Sequence, residues 1–263
     1  MPKGVRTMKT QMKWELEDPY NLIVFMFGFV MLGITFFSGL TSNDVTFMVS
    51  GPDEIIVSEA AKTLGLTLPR LGTEEYTIFA LTGALLVSLM MRYDRDTRVA
   101  KSVYSLPVRN YSVVLSKALS AMVLLFLASL LPAFLAFIYI HGDVSSLIGK
   151  TLFDEGFLAG YLIYWAMMVL YVVSVSALVA MLSPNTFASL LGSITILYAP
   201  LVLKLRSLPP AVIDDAFFKA YTTQFYPADR VAAFIDGSFY MGILLPAVML
   251  GAALILSEWR DVS

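Results

Sequence analysis

Residues 21–37 read NLIVFMFGFVMLGITFF, and no charged side chain stands between Asp18 and Asp44. The hydrocarbon core of a bilayer is about 30 Å thick and takes roughly 20 apolar residues of helix. This stretch therefore predicts a membrane span near 20–40. It is longer than a secretory h-region, and Phe36-Phe37-Ser38-Gly39-Leu40 has no A-x-A-like cleavage pattern, so it reads as a span and not as a leader. Five further stretches repeat the pattern, near 75–92, 113–140, 157–182, 186–205 and 238–257. The second, TIFALTGALLVSLMM at 77–91, has the shortest uncharged run. The third holds Pro132, whose missing N–H predicts a kink or an early helix end. Ser183-Pro184-Asn185 predicts a tight turn between the fourth and fifth.

The whole chain has the composition such spans require. Hydrophobic residues make up 58% of the 263 and charged ones 14%, against about 25% charged in soluble domains. The mean hydropathy of +0.75 rules out a disordered chain. With no cysteine and a single histidine, His141, there is no disulfide framework, thiolate site, cysteine nucleophile or multi-histidine metal site. A net charge of −2 gives no electrostatic case for nucleic acid. The sequence has no GxxxxGK[ST], HExxH or GxSxG, so it carries no P-loop, zincin helix or nucleophile elbow. His141 precedes Gly142-Asp143 and reads as a surface residue in a turn. The acidic pairs Asp53-Glu54, Glu74-Glu75, Asp154-Glu155 and Asp214-Asp215 are sequence neighbours. Neighbours on a helix diverge by about 100°, so these read as helix starts or solvated faces.

Six spans put both termini on one side. That side carries 11 basic and 7 acidic residues, the other 7 and 13, so the positive-inside rule makes the first side cytoplasmic. Trp14, Tyr20, Tyr93, Tyr111 and Trp259 read as anchors at the inner boundary. Tyr76, Tyr139, Tyr161, Tyr164 and Tyr240 read as anchors at the outer one. No charged residue falls in the middle of a span. Proton-driven carriers usually bury ionisable groups there, so their chemistry is disfavoured.

The segments between the spans also have patterns. Met8, Met12, Trp14 and Leu16 among Lys9, Lys13, Glu15 and Glu17 predict a short interfacial helix before span one. In the outer segment 41–74, Asp53-Glu54 after Gly51-Pro52 predicts a helix start, and Gly65 a stop. The outer segment 206–237 predicts two short helices. The inner loop 93–112 lies in RYDRDTRVAKSVYSLPVRNYSVVLSK at 92–117. Arg95, Arg98, Lys101 and Ser102 form a polar stripe there, and Val99, Val103 and Leu106 an apolar one, the pattern of a surface helix. Pro107 ends it, and Asn110 or Ser112 caps span three. The same stretch also reads as a basic loop that only fixes topology. Ala188, Ser189, Gly192 and Ser193 on span five, with Ser116 and Ser120 on span three, are small-xxx-small pairs that let helices approach closely in lipid. They suit internal packing, a dimer seam or a substrate path.

The stretch from Tyr93 to Lys117 resembles the loop after span two in type II ATP-binding-cassette (ABC) transporter permeases. Asp94-Arg95 resembles the acidic-basic start, Ser105-Leu106-Pro107-Val108-Arg109 the middle, and Ser116-Lys117 stands where Gly-Lys is usual. The usual Gly-Thr after the start is replaced by Thr97-Arg98. Lys13-Trp14-Glu15-Leu16-Glu17-Asp18-Pro19 resembles the family's elbow helix, and Phe225-Tyr226-Pro227-Ala228 its outer segment between spans five and six. The resemblance implies an all-α integral membrane protein of six transmembrane helices, with an N-terminal interfacial elbow helix, an inner coupling helix and short outer helices. It implies an exporter permease in the cell membrane, working as a homodimer or pseudo-dimer with two copies of a separate ATPase that holds ATP and magnesium, and no enzyme activity or cofactor in this chain. The ATPase-coupling residues it implies are Asp94, Arg95, Arg98, Val99, Lys101, Ser102, Val103, Leu106, Pro107 and Arg109. The residues alone leave two other functions open. One is an integral-membrane enzyme acting on lipid through Asp94, Asp96 and Arg98; the other is an anchor for cytoplasmic proteins.

Overall fold

The computed structural model describes residues 3–41, 53–93, 96, 110–222 and 227–259, and among them every regular element is helical. The order is α1 (Lys3–Glu17), α2 (Pro19–Thr41), α3 (Asp53–Leu66), α4 (Thr73–Ser88, continued by a π turn Leu89–Tyr93) and α5 (Asn110–Ile140). The short α6 (Ser145–Gly149) runs into a π turn Lys150–Asp154. Then come α7 (Phe157–Leu182), α8 (Thr186–Val202), α9 (Ala211–Thr222), α10 (Pro227–Ser238), a π turn Phe239–Leu244 and α11 (Leu245–Trp259).

Five helical stretches are long and apolar enough to cross a membrane: Pro19–Thr41, Thr73–Tyr93, Asn110–Ile140, Phe157–Leu182 and Asp229–Trp259. The chain is thus a membrane-embedded, all-helical protein. The shorter Thr186–Val202 is also apolar. It ends three residues before the expected 205, where Leu203 and Lys204 turn back on the carbonyls of Ala199 and Leu201. The last span is longer than expected, because α10 continues into it through the π turn. Proline does not end α5: the helix runs unbroken past Pro132 to Ile140. A proline removes only one hydrogen bond of the ladder. Ser129, one turn earlier, turns its hydroxyl onto the carbonyls of Leu125 and Phe126.

Burial separates central from peripheral helices. In α7, 72% of the most apolar window is buried, against 22% in α2 and 17% in the last span. A helix apolar all round belongs in the middle of a bundle, and α7 is that helix. Trp165 at its heart meets Phe36 of α2 and Phe79 of α4 edge-on, with ring centroids 6.0 and 5.8 Å away. Such pairs add about 0.5–1.5 kcal/mol each beyond area burial.

The ends of the bundle differ. At one end, called proximal here, lie the starts of α2, α5 and α8 and the ends of α4, α7 and α11. Tyr20 and Tyr93 meet there at 5.6 Å, and Glu258 accepts from the Tyr111 N–H at 3.1 Å. The five expected inner anchors are all exposed at this end. At the distal end Tyr139 and Tyr240 are exposed, but Tyr76, Tyr161 and Tyr164 are fully buried in the protein, which corrects the expectation that all five serve as anchors there. Their hydroxyls find backbone partners inside the protein. Tyr161 donates to Pro69 O (2.6 Å), Tyr76 to Leu197 O (3.3 Å), and Tyr164 accepts from Leu71 N (3.0 Å). A buried phenol so satisfied needs no water.

Distal helices α3, α6, α9 and α10 cover this end, and an ion pair that local sequence does not announce joins two of its segments. Arg230 of α10, 3% exposed, bonds the Glu155 carboxylate and carbonyl, each at 2.9 Å. His141 is half-buried, not a free surface group, packing edge-on to Phe137 with Nε2 3.4 Å from Thr67 Oγ1. Burial lowers its pKa below the usual 6.5, against the pull of Asp143. The unfolded chain therefore takes up this proton first as pH falls. Stability should drop as pH falls from 6.5 towards the lowered value, and His141→Asn should flatten that part of the profile. Melting temperatures of both proteins between pH 7 and 5 check this; parallel curves would refute it.

Candidate functional site

The proximal end holds a buried polar seam where four segments meet. Its foundation is the junction of α1 and α2. Asp18 accepts from the N–H groups of Tyr20 (2.8 Å) and Asn21 (3.4 Å), capping α2, and Pro19 opens the helix at the position where its missing N–H costs nothing. Asn21, buried, turns its amide back onto the carbonyl of Glu15 at 2.9 Å. This fixes the angle between α1 and α2.

α1 packs against α5 with a polar face. Gln11 accepts from the Ser116 hydroxyl at 3.1 Å, and one turn on Glu15 meets Lys117 Nζ at 3.2 Å. Trp14 points away and is exposed. The sequence pattern had placed the apolar side of α1 at Met8, Met12, Trp14 and Leu16; the structure shows a second, hydrogen-bonding side used for docking. Lys117 is 4% exposed and lies two turns inside α5, not in the loop. Its ammonium also donates to the Met90 carbonyl. The π turn there, of a kind often found at functional sites, brings Met90, Arg92 and Tyr93 round at the end of α4. Arg92, equally buried, donates to the Pro184 carbonyl in the α7–α8 turn.

α8 begins at that turn. Asn185 caps it by accepting from the Ala188 N–H at 2.8 Å. Asp96 accepts from the Thr186 N–H at 2.7 Å and from its hydroxyl at 2.5 Å. Ser88 and Ser189 share a hydrogen bond of 2.9 Å, while at the other end Tyr198 donates to Thr77 O at 2.7 Å. α8 therefore lies antiparallel to α4 over its whole length. Of the small residues, Ser189 and Ser193 are fully buried, and Gly192 and Ala188 are half-buried. A Cβ on Gly192 would stand 2.9 Å from Val179 of α7.

Asp94, Arg95, Arg98, Val99, Lys101, Ser102, Val103, Leu106, Pro107 and Arg109 lie outside the described residues. What the structure brings together is what surrounds them: Tyr93 and Asn110 at one end of the bundle, beside α1 and the buried Lys117. Sequence reading missed Arg92, Lys117, Gln11 and Glu15 as one cluster. The available signal was Lys117, a charge with Val113, Val114, Leu115 and Ala118 around it. Among the described residues, no group of three or more His, Asp or Glu side chains could hold a metal ion. No protein-family model matches the chain, and no curated protein matches it either.

Proposed function

We propose that this chain is the membrane-spanning permease subunit of an ABC exporter, driven by ATP hydrolysis in a separate subunit. The observation that supports it best is the seam itself. The segment 94–109 leaves from Tyr93 and returns at Asn110, and both exits are braced by a buried ionic contact between α1, α4 and α5. A loop that receives mechanical force needs such a footing, and a loop that merely sets topology does not. The proximal end is then cytoplasmic, as its basic excess requires, and α1 is the elbow helix lying at the interface.

This reading has six crossings. α8 is 17 residues long, about 26 Å at 1.5 Å per residue, and its bonds to α4 give it the same depth. Two chains would pair with two ATPases, and the lack of charge midway along the spans favours an apolar or amphipathic substrate.

Co-expression with an ABC ATPase encoded beside this chain, followed by affinity purification, tests the reading. The wild-type chain should retain the ATPase. Val103→Asp combined with Leu106→Asp should lose it, because carboxylates would replace two of the three residues of the apolar stripe. Retention by the double variant would favour the anchor or lipid-enzyme alternatives.

A further inference from the structure

The first N–H groups of a helix have no partner within it. In α8 the local cap, Asn185, takes only the Ala188 N–H. The Thr186 N–H and hydroxyl are both taken by one carboxylate oxygen of Asp96, ninety residues earlier in the chain. A carboxylate there also suits the positive end of the helix dipole. Four residues before Asp96, Arg92 grips the same turn from the opposite polarity, donating to the carbonyl of Pro184. The turn is thus held by an acceptor and a donor from one short stretch of chain. Sliding α8 along α4 by a residue would break both. Further in, the Ser88–Ser189 bond and the Tyr76–Leu197 and Tyr198–Thr77 bonds continue the attachment. On the opposite face of α8, among the described residues, Phe187, Leu191, Thr195 and Val202 are exposed.

We propose that Asp96 and Arg92 are positioning residues that fasten the start of α8 to the end of α4, so that a displacement of the chain leaving α4 is delivered to α8. The inference rests on the reading above, in which that part of the chain receives the ATPase's motion. It adds the route and the helix that is moved.

The absence of cysteine makes the test direct. Thr195→Cys puts a single thiol on the exposed side of α8, to be labelled with an environment-sensitive fluorophore in the full chain, bound to its ATPase in lipid nanodiscs. Magnesium-ATP should change the emission of this parent. Asp96→Ala should reduce the change at least twofold while the ATPase still copurifies and hydrolyses ATP. Asp96→Asn keeps an acceptor oxygen and should restore it. In the chain without ATPase, amide exchange at Thr186 should rise about tenfold in Asp96→Ala, the effect of losing a helix cap, and stay near the parent's in Asp96→Asn. If Asp96→Ala does not fold, Thr186→Val, which removes one of the two donors, should reduce the emission change. A full response in Asp96→Ala, or in Thr186→Val where that variant stands in, overturns the inference and leaves the permease reading standing. A parent that binds no ATPase overturns both.

Discussion

Replacing Lys117 by methionine is expected to destabilise the protein by about 3–5 kcal/mol, the range for removing one partner of a buried ion pair. Methionine fills much of the same space, so packing is not the main loss. The loss is electrostatic. Glu15, whose side chain is 17% exposed, would keep its carboxylate beside α5 with the ammonium gone, and the Met90 carbonyl, which the π turn presents to α5, would lose its donor. A charge left without its partner in a place that excludes water is worth more, as a cost, than the pair was as a gain. The double variant Glu15→Gln with Lys117→Met should therefore recover much of the stability that the single variant loses. Denaturation in mixed detergent micelles, followed by the fluorescence of the buried Trp165, measures both. If the single variant stays within about 0.5 kcal/mol of the wild type, the pair behaves as a surface bridge and the seam is no foundation for anything.

How much of this was legible in the sequence depends on the range of the signal. The spans were, because a run such as 21–37 declares its environment residue by residue. So was α3, predicted from Asp53 and found as Asp53–Leu66, and so was the Ser183-Pro184-Asn185 turn, since caps and turns are local chemistry. The fate of the distal tyrosines was not. Tyr139 and Tyr161 both sit near helix ends in an apolar context, yet one is exposed and the other fully buried. What separates them is a carbonyl at Pro69, supplied by a distant segment. Arg230 and Glu155 are likewise 75 residues apart, and no periodicity links them. Lys117 closes the basic stretch 92–117, and its sequence alone does not show on which side of the loop–helix boundary its charge falls, the least certain part of a pattern. Two turns of helix, from Asn110 on, carry its charge from the surface into the protein. The resemblance to ABC permeases rests mainly on residues 93–117, of which 94, 95 and 97–109 lie outside the described part of the chain.

Gly160→Leu should prevent the distal cap from closing, and even Gly160→Ala should cost about 1–3 kcal/mol, the usual range for overpacking. Gly160 lies one turn into α7, where α9 crosses it. A Cβ at this position would stand 1.8 Å from the Tyr221 hydroxyl oxygen and 2.6 Å from the ring carbon that bears it. The tyrosine has nowhere to go. Its ring lies between Phe157 and Phe217, with centroids 4.5 and 4.6 Å away. Its hydroxyl donates to the carbonyl of Gly156 at 3.1 Å, and Gly156 itself holds the left-handed φ of 72° that starts α7. Burial pushes the phenol up to about 12, so the donor proton is present at any physiological pH. A methyl group must displace Tyr221, and with it the bond that joins α9 to the start of α7. A leucine must displace α9 itself. Hydrogen exchange should locate the damage: amides of α9 and α10 exchanging faster in Gly160→Ala, those of α1 and α5 unchanged. Tyr221→Leu, which vacates the contested space, should partly rescue Gly160→Ala, although alone it destabilises the protein. Additive losses in the double variant would mean that the two residues do not touch, and the packing of α9 on α7 described above would be wrong.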